Sequence, residues 1–298
     1  MSEKQNQADT MKNYGGQALI EGILMRGQRY LTAAFRLPDG SIKVVEEELT
    51  GIYKNKIRDL PFFRGLIILW DSLALGMKYL TISSNYQLPE EEEKIEGPAL
   101  YFTLAVSLIL AVGIFFLIPT LLIQLLYKYT GLSNFLINVI EGVIRLGIII
   151  LYLSLIRKMK DIMRVFSYHG AEHKTISAYE HGEALEVENI QKYSTAHPRC
   201  GTSFLLTVAV ISIFIFAMVS TPNIGMRILS RVILIPVVSM VAYEIIRLLG
   251  KNEDKAWAKF LARPNLALQK LTTNEPSDDM VEVAISALSR LLILEKEQ

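Results

Sequence analysis

His169 and His173 stand four residues apart, with Glu172 immediately before the second, in the stretch YHGAEHKTISAYEHGE from Tyr168 to Glu183. On a helix, residues four apart project about 40° apart on neighbouring turns, so both rings can turn to one point. Two neutral imidazoles at that spacing can grip one metal ion, and a carboxylate beside them can take a proton from a water in an open position. The same pattern also arises where histidines line an amphipathic helix beside lipid headgroups, with no ion involved.

The order H-x-x-E-H is the reverse of H-E-x-x-H and is the order found in inverzincin metalloproteases. A catalytic zinc site commonly takes a third protein ligand. Glu180 shares the helical face but stands seven residues beyond His173, about 10 Å along the axis, too far for the same ion on an unbroken helix. HPRCGTS offers His197 and Cys200, three apart in a loop that leads into an apolar segment. Thr202 or Ser203 is suited to cap that segment, and a helix start favours negative charge nearby. The plain alternative for Cys200 is a small buried residue at a helix start. His181, in EHGE, reads as a solvated helix end.

Near the N-terminus, YGGQALIEGILMRG (Tyr14–Gly27) sets Gln17, Glu21 and Arg26 into an apolar run, after two glycines that permit an unusual backbone turn. A strand or short helix with a satisfied Glu–Arg pair explains them. The sharper alternative has Glu21 facing the histidines as a ligand or as a partner that orients one. Glu141 and Arg145 lie four apart within an apolar segment, where charges are expensive and usually paired.

These residues need elements to position them. The chain has 298 residues, 51% hydrophobic, mean hydropathy +0.31 and net charge +1. That balance gives no basic field for nucleic acid. A single cysteine excludes an intramolecular disulfide and fits a cytosol-facing position. The start of the chain is polar, unlike a signal peptide. Four segments are long enough to cross a bilayer, which takes roughly 20 residues: Ala99–Tyr127, Leu132–Ile156, Ser203–Ser220 and Ile228–Leu249. Short connections make them two helical hairpins. Arg157, Lys158, Lys160 and Arg164 follow the second segment and Lys251, Lys255 and Lys259 the fourth. Both termini and the long middle segment are therefore expected in the cytoplasm.

The expected organisation is a mostly α membrane protein with a small N-terminal α+β cytoplasmic region and a C-terminal amphipathic helix. Residues 1–13 are expected to be disordered. Residues 14–60 form a β-containing region, with a hairpin turning at Pro38-Asp39-Gly40. Residues 61–83 form an amphipathic helix on the membrane surface, because Arg64, Asp71 and Lys78 recur every seven residues. An acidic linker (84–98) leads to the first hairpin (99–156). A cytoplasmic loop (157–202) carries both histidine motifs before the second hairpin (203–249) and the C-terminal helices (250–298), where Val281, Ala284, Ile285, Leu288 and Leu292 share a face.

YGGQALIEGILMRG, YHGAEHKTISAYE and HPRCGTSFL, in that order, resemble the YqhQ family, bacterial multi-pass membrane proteins with a domain of unknown function that has been labelled a metal-dependent enzyme by inference. The resemblance runs from about Tyr14 to Arg263. It carries over at Gly15, Gly16, Gln17, Glu21, Gly22, Met25 and Arg26, and at His169, Glu172, His173, Glu180, His197, Pro198, Arg199, Cys200 and Gly201. It implies a bacterial cell-membrane protein whose lipid bilayer is a constant partner, and adds no substrate. The expectation is a zinc-dependent (or other divalent-metal) hydrolase at the cytoplasmic face. Its ligands come from His169, His173, His197 and Cys200, with Glu172 as general base and Glu21, Glu180, Arg26 and Gln17 as supporting residues. The alternative is a non-enzymatic scaffold or a partner of membrane-protein insertion or envelope machinery. A small transporter needs a polar path, for which only Gln124, Glu141 and Arg145 are candidates.

Overall fold

The computed structural model describes residues 14–49, 60–89, 94, 96–198, 200–219, 223–252 and 254–296. The expected disordered segment 1–13 and part of the acidic linker lie outside them.

Four antiparallel strands come first: β1 (Gly15–Leu19), β2 (Gly22–Arg26), β3 (Tyr30–Arg36) and β4 (Ile42–Glu48), paired in chain order. The β3–β4 hairpin, with Arg36 opposite Ile42, is the one its Pro-Asp-Gly turn predicts. The β1–β2 hairpin is less legible because its side chains do not alternate apolar with polar. The reason is burial on both faces. Ile23 and Met25 of β2 face one apolar cluster, and Leu24, between them, faces another. The first cluster is completed by α5 (Lys160–Glu180) and α10 (Asp278–Lys296), the second by Leu75 and Tyr79 of α1 (Phe63–Gln87). The sheet is thus the middle of three layers. Val281, Ala284 and Leu288 of α10 are fully buried against it, and Thr32 of β3 donates a 2.7 Å hydrogen bond to the Ala287 carbonyl.

The apolar half comprises α2 (Gly97–Val112), a π-helical turn at Gly113–Leu117, α3 (Ile118–Thr130), α4 (Asn134–Ile156), α7 (Thr202–Ala217) and α8 (Ile224–Lys251). The short α6 (Val187–Ile190) precedes α7, and α9 (Ala256–Gln269) follows α8. Helix α4 packs against α3 and α7, and α7 against α8 and α9. Among the described residues, four helical runs are long and apolar enough to cross a membrane: α1, 97–125, α4 and α8. This set differs from the sequence expectation in two places. The third expected span is a helix of 16 residues, about 24 Å long and short of a full crossing. In its place α1 meets the length and hydropathy, although its three spaced charges are all engaged by protein. Arg64 chelates Glu244 of α8, Asp71 pairs with Arg26 of β2, and Lys78 pairs with Glu47 of β4.

Glu141 and Arg145 do pair, at 2.7 Å. Arg231 of α8, unexpected as a partner, donates to Glu141 at 3.1 and 3.2 Å and to Asn138 at 2.8 Å. Thr120 also donates to Glu141. Arg145 donates from Nε to the Phe115 carbonyl in the π turn, where the ordinary helical ladder is interrupted.

Candidate metal centre

Helix α5 carries the H-x-x-E-H motif and is buried all round over nearly two turns, from Gly170 through Ile176, with Tyr168 and Ala178 buried on either side. It begins after the basic end of α4 and is seated by the β1–β2 turn. There Glu21, at φ 48°, accepts hydrogen bonds from Arg164 at 2.5 and 2.6 Å and from Tyr168 at 3.1 Å. Burial, and after it the Glu21 carboxylate, push the Tyr168 phenol up, which keeps it a donor. Farther along, Gly170 lets the 272–274 segment approach: a Cβ there would lie 2.0 Å from the Asn274 carbonyl oxygen. That approach brings the Thr272 carbonyl to His169.

Both motif histidines are oriented the same way. His169 Nδ1 lies 2.9 Å from the Thr272 carbonyl oxygen, and His173 Nδ1 lies 2.6 Å from that of Thr195. A carbonyl can only accept, so each Nδ1 carries a proton, and in the neutral tautomer that this selects the lone pair is on Nε2. The two rings are 4.3 Å apart, His169 Nε2 is 3.2 Å from Cys200 Sγ, and His173 Nε2 has no hydrogen-bond partner. Ligand atoms of His169, His173 and Cys200 all lie within 4.8 Å of one another, the one such cluster of three among the described residues. Burial pushes the His173 imidazolium down, with Cys200 opposing, and so keeps the ring neutral as a metal requires.

Cys200 sits just before α7. Thr202, expected as a helix cap, is instead the first residue of α7, and its backbone N–H and hydroxyl meet the Cys200 sulfur at 3.3 and 3.1 Å. Gln269 of α9 clasps the backbone of His197 from both sides, at 2.9 and 2.8 Å, which fixes the loop entering α7.

Glu172 is buried beside the trio, and its Oε2 has no partner. Burial pushes its carboxyl up, partly offset by His169, His197 and the backbone of Gly16. Gly16 explains the glycine pair. It forms no special turn but lies within β1, where a Cβ would stand 3.0 Å from the Glu172 side chain and 2.6 Å from the Leu24 carbonyl oxygen. The remaining sequence candidates lie outside the trio. His197 Nε2 turns to Glu180 at 3.3 Å while its ring stays 5.7 Å from His173. Glu21 clamps α5. Gln17 donates to the Ser72 carbonyl, and Arg26 binds Asp71, so these two hold α1 to the sheet. His181 is exposed and caps its own helix through Ser177. Sequence reasoning missed Thr195 and Thr272, which act through main-chain carbonyls and leave no side-chain signal.

Two hollows lie in this region, and of the trio only Cys200 lines one of them. A cavity of about 600 Å³ opens beside Glu180 and His197, against Asn265 and Leu249. A cleft of about 250 Å³ reaches Cys200 between α1, α7 and α8.

Fold and site together define a mainly helical chain with, among the described residues, four helices long and apolar enough to cross a membrane, a small antiparallel sheet and a His-His-Cys cluster in which His173 and Cys200 are buried. The chain belongs to the family described as "Protein of unknown function (DUF1385)", which matches residues 60–293. It is 37% identical over 296 residues to "Uncharacterized protein YqhQ" of Bacillus subtilis (strain 168), covering 95% of this chain and 93% of that one. No solved structure matches.

Proposed function

We propose that this protein is a metal-dependent hydrolase of the bacterial cell membrane, working at the cytoplasmic face, with zinc or another divalent cation held by His169, His173 and Cys200. The observation that carries this reading is the pair of Nδ1-to-carbonyl hydrogen bonds. They turn two Nε2 lone pairs toward one sulfur in a buried place, the arrangement expected around a metal-binding histidine. Three protein ligands of this kind leave a fourth position for water or substrate. A zinc ion bound there supplies Lewis acidity and makes a water more acidic. Glu172 is the base: its unpartnered Oε2 accepts the proton of the attacking water and returns it to the leaving group. Gly16 keeps space for that side chain, and Glu180 steadies His197 behind His173.

The cytoplasmic assignment rests on Arg157, Lys158, Lys160 and Arg164 after α4. On that reading α2–α3 with α4, and α7 with α8, form two hairpins, and α1 lies along the membrane surface. The test is elemental analysis of purified protein beside His173→Ala. About one ion per chain in the wild type, absent in the variant, is expected, with Glu172→Gln keeping metal and losing turnover. A wild-type protein that binds no added divalent metal sinks the proposal. The exposed apolar side of α1, with Phe63, Trp70 and Leu73, favours a second reading, a scaffold for membrane-protein insertion or envelope machinery. A stable co-purifying complex and growth indifferent to Glu172→Gln would support it.

A further inference from the structure

Three guanidinium groups are buried together in the apolar half, and one carboxylate faces them. Arg145 and Arg227 are 3% exposed, Arg231 is 2% exposed and Glu141 is 1% exposed. Arg145 and Arg231 donate to Glu141, and Arg227 lies within electrostatic range of it. Glu141 is the one Asp or Glu in the sequence segments 97–156 and 202–240, which hold α2, α3, α4, α7 and the first half of α8. The cluster therefore carries an excess of positive charge, whatever neutral groups its arginines also meet. A guanidinium does not shed its proton in a protein, so deprotonation gives no relief. Uncompensated charge is expensive away from water.

The hydrogen bonds show where the excess is left. Glu141 is already shared: Oε1 accepts from Arg145, Arg231 and Thr120, and Oε2 accepts from Arg231. Arg145 uses Nη2 for Glu141 and Nε for the Phe115 carbonyl, and its Nη1 is buried with no hydrogen-bond partner. Arg145 also lines a cavity of about 250 Å³, with Phe115, Phe116, Ser212 and Phe216. A water there would satisfy Nη1 and leave the charge; an anion answers both. Helices α4 and α8 begin at this end, since Asn138, early in α4, meets Arg231, early in α8. The positive ends of their two dipoles add to the field. This end is also the far one from the metal centre. Phe216, beneath the Arg145 and Arg231 guanidinium groups, and Thr202, beside Cys200, stand near opposite ends of α7, about 21 Å apart along its axis.

We infer that this cluster binds a phosphate group, of a lipid headgroup or free in solution, at the starts of α4 and α8. The guanidinium fork matches an oxyanion in shape as well as charge. A bilayer places its phosphates at the ends of the helices that cross it, and α4 and α8 begin at such an end. The site does not depend on the proposed hydrolase.

The test uses full-length protein stripped of lipid in a neutral detergent. Its unfolding temperature is followed as sodium phosphate replaces sodium chloride at fixed ionic strength, and in a parallel series as short-chain phosphatidylglycerol is added in chloride. At least one probe is expected to raise the unfolding temperature by about 5 °C at a hundredfold excess over its Kd. A response to inorganic phosphate identifies a soluble oxyanion, and a response to phosphatidylglycerol alone identifies a lipid headgroup. Arg145→Gln is expected to weaken that binding about tenfold. Glu141→Gln keeps an acceptor for the guanidinium groups and removes the opposing charge, so it is expected to bind about tenfold tighter, which general damage to the fold does not produce. A rise from neither probe overturns the inference. So does an unchanged Kd in Glu141→Gln, even where Arg145→Gln fails to fold. Metal content is expected to match the wild type in both variants, so failure of this site and failure of the metal centre are read separately.

Discussion

Two buried polar clusters sit in this molecule, and they are built on opposite plans. In the apolar half, Glu141 is surrounded by donors: Arg145, Arg231 and Thr120 all reach it, and Nη2 of Arg231 is shared between Glu141 and Asn138. The guanidinium groups of Arg145 and Arg231 lie over the Phe216 ring at 5.2 and 4.5 Å. The carboxylate in that cluster is spent on internal contacts. Beside the sheet, the Nδ1 groups of His169 and His173 are spent on backbone carbonyls and the Cys200 sulfur receives the Thr202 N–H, while Nε2 of His173 and Oε2 of Glu172 are buried with no hydrogen-bond partner. A cluster whose acceptors are saturated holds helices together. A cluster that leaves buried polar atoms without partners is one to test for a ligand.

The contrast is broken most violently at Glu141. Glu141→Leu leaves Arg145 and Arg231 buried without their carboxylate, at a cost of about 3–5 kcal/mol. Thermal unfolding in detergent is expected to show collapse of the apolar half or loss of expression. Converting Glu141, Arg145 and Arg231 together to methionine recovers much of the stability. Recovery of metal content in the triple variant would show that this cluster serves the metal centre through structure alone. A single Glu141→Leu variant as stable as wild type would show the contacts to be idle.

At the other cluster the same operation has the opposite signature. His169→Ala, His173→Ala or Cys200→Ser is expected to abolish metal binding while the chelated protein keeps its fold. Chelator lowers the unfolding temperature of the wild type by the linkage of metal to the native state, about 4 kcal/mol at a thousandfold excess over Kd. It leaves the variants unmoved. His197→Ala, by contrast, retains the ion, because its nitrogen is turned to Glu180. Loss of metal in His197→Ala at the level of His173→Ala would redraw the ligand set.

Gly16→Ala joins the two kinds of effect. The new methyl meets the Leu24 carbonyl within β2 and the Glu172 side chain, an overpacking cost of about 1–3 kcal/mol. It is expected to displace the base while leaving the metal, so turnover falls more than metal content. A smaller effect follows from burial of Glu172. Its carboxyl is pushed up in the folded state, so in the metal-free protein the stability of the protonated form is fully present below the unfolded carboxyl pKa. It is lost as pH rises through the higher folded one. Glu172→Gln is expected to flatten that decline, checked by unfolding temperatures of chelated protein across a pH series.

What could be read from the chain followed where the physics is local. H-x-x-E-H places its groups through helix geometry alone, and Pro-Asp-Gly closes β3 on β4 through turn preferences, so both were legible. The β1–β2 hairpin was not, because burial on both faces erases the alternation that marks a strand. Cys200 and His197 were recognisable as candidates by residue type, but which of them turns to the trio depends on Gln269, about 70 residues away in sequence, and on Glu180. Arg231 was hidden for the same reason: it sits 90 residues from the carboxylate it binds. The third expected span begins within a residue of where the sequence places it, at Thr202, but its helix ends at Ala217, before the expected Ser220.

The smallest expected effect tests how far the centre depends on the sheet's edge. Glu21 holds Arg164 in a bidentate pair, but Arg164 is half exposed, with 50% of its side chain in contact with solvent. Such a pair contributes about 0.2–1 kcal/mol. Glu21→Gln keeps an acceptor for Tyr168 and loses only the charge, so metal content is expected to stay at the wild-type value, with a slight fall in unfolding temperature that salt reproduces in the wild type. A clear loss of metal in this variant would mean that the β1–β2 turn sets the angle of α5, and with it the convergence of His169 and His173. The polar cluster beside the sheet would then depend on a distant clamp in the way the Glu141 cluster depends on its own carboxylate.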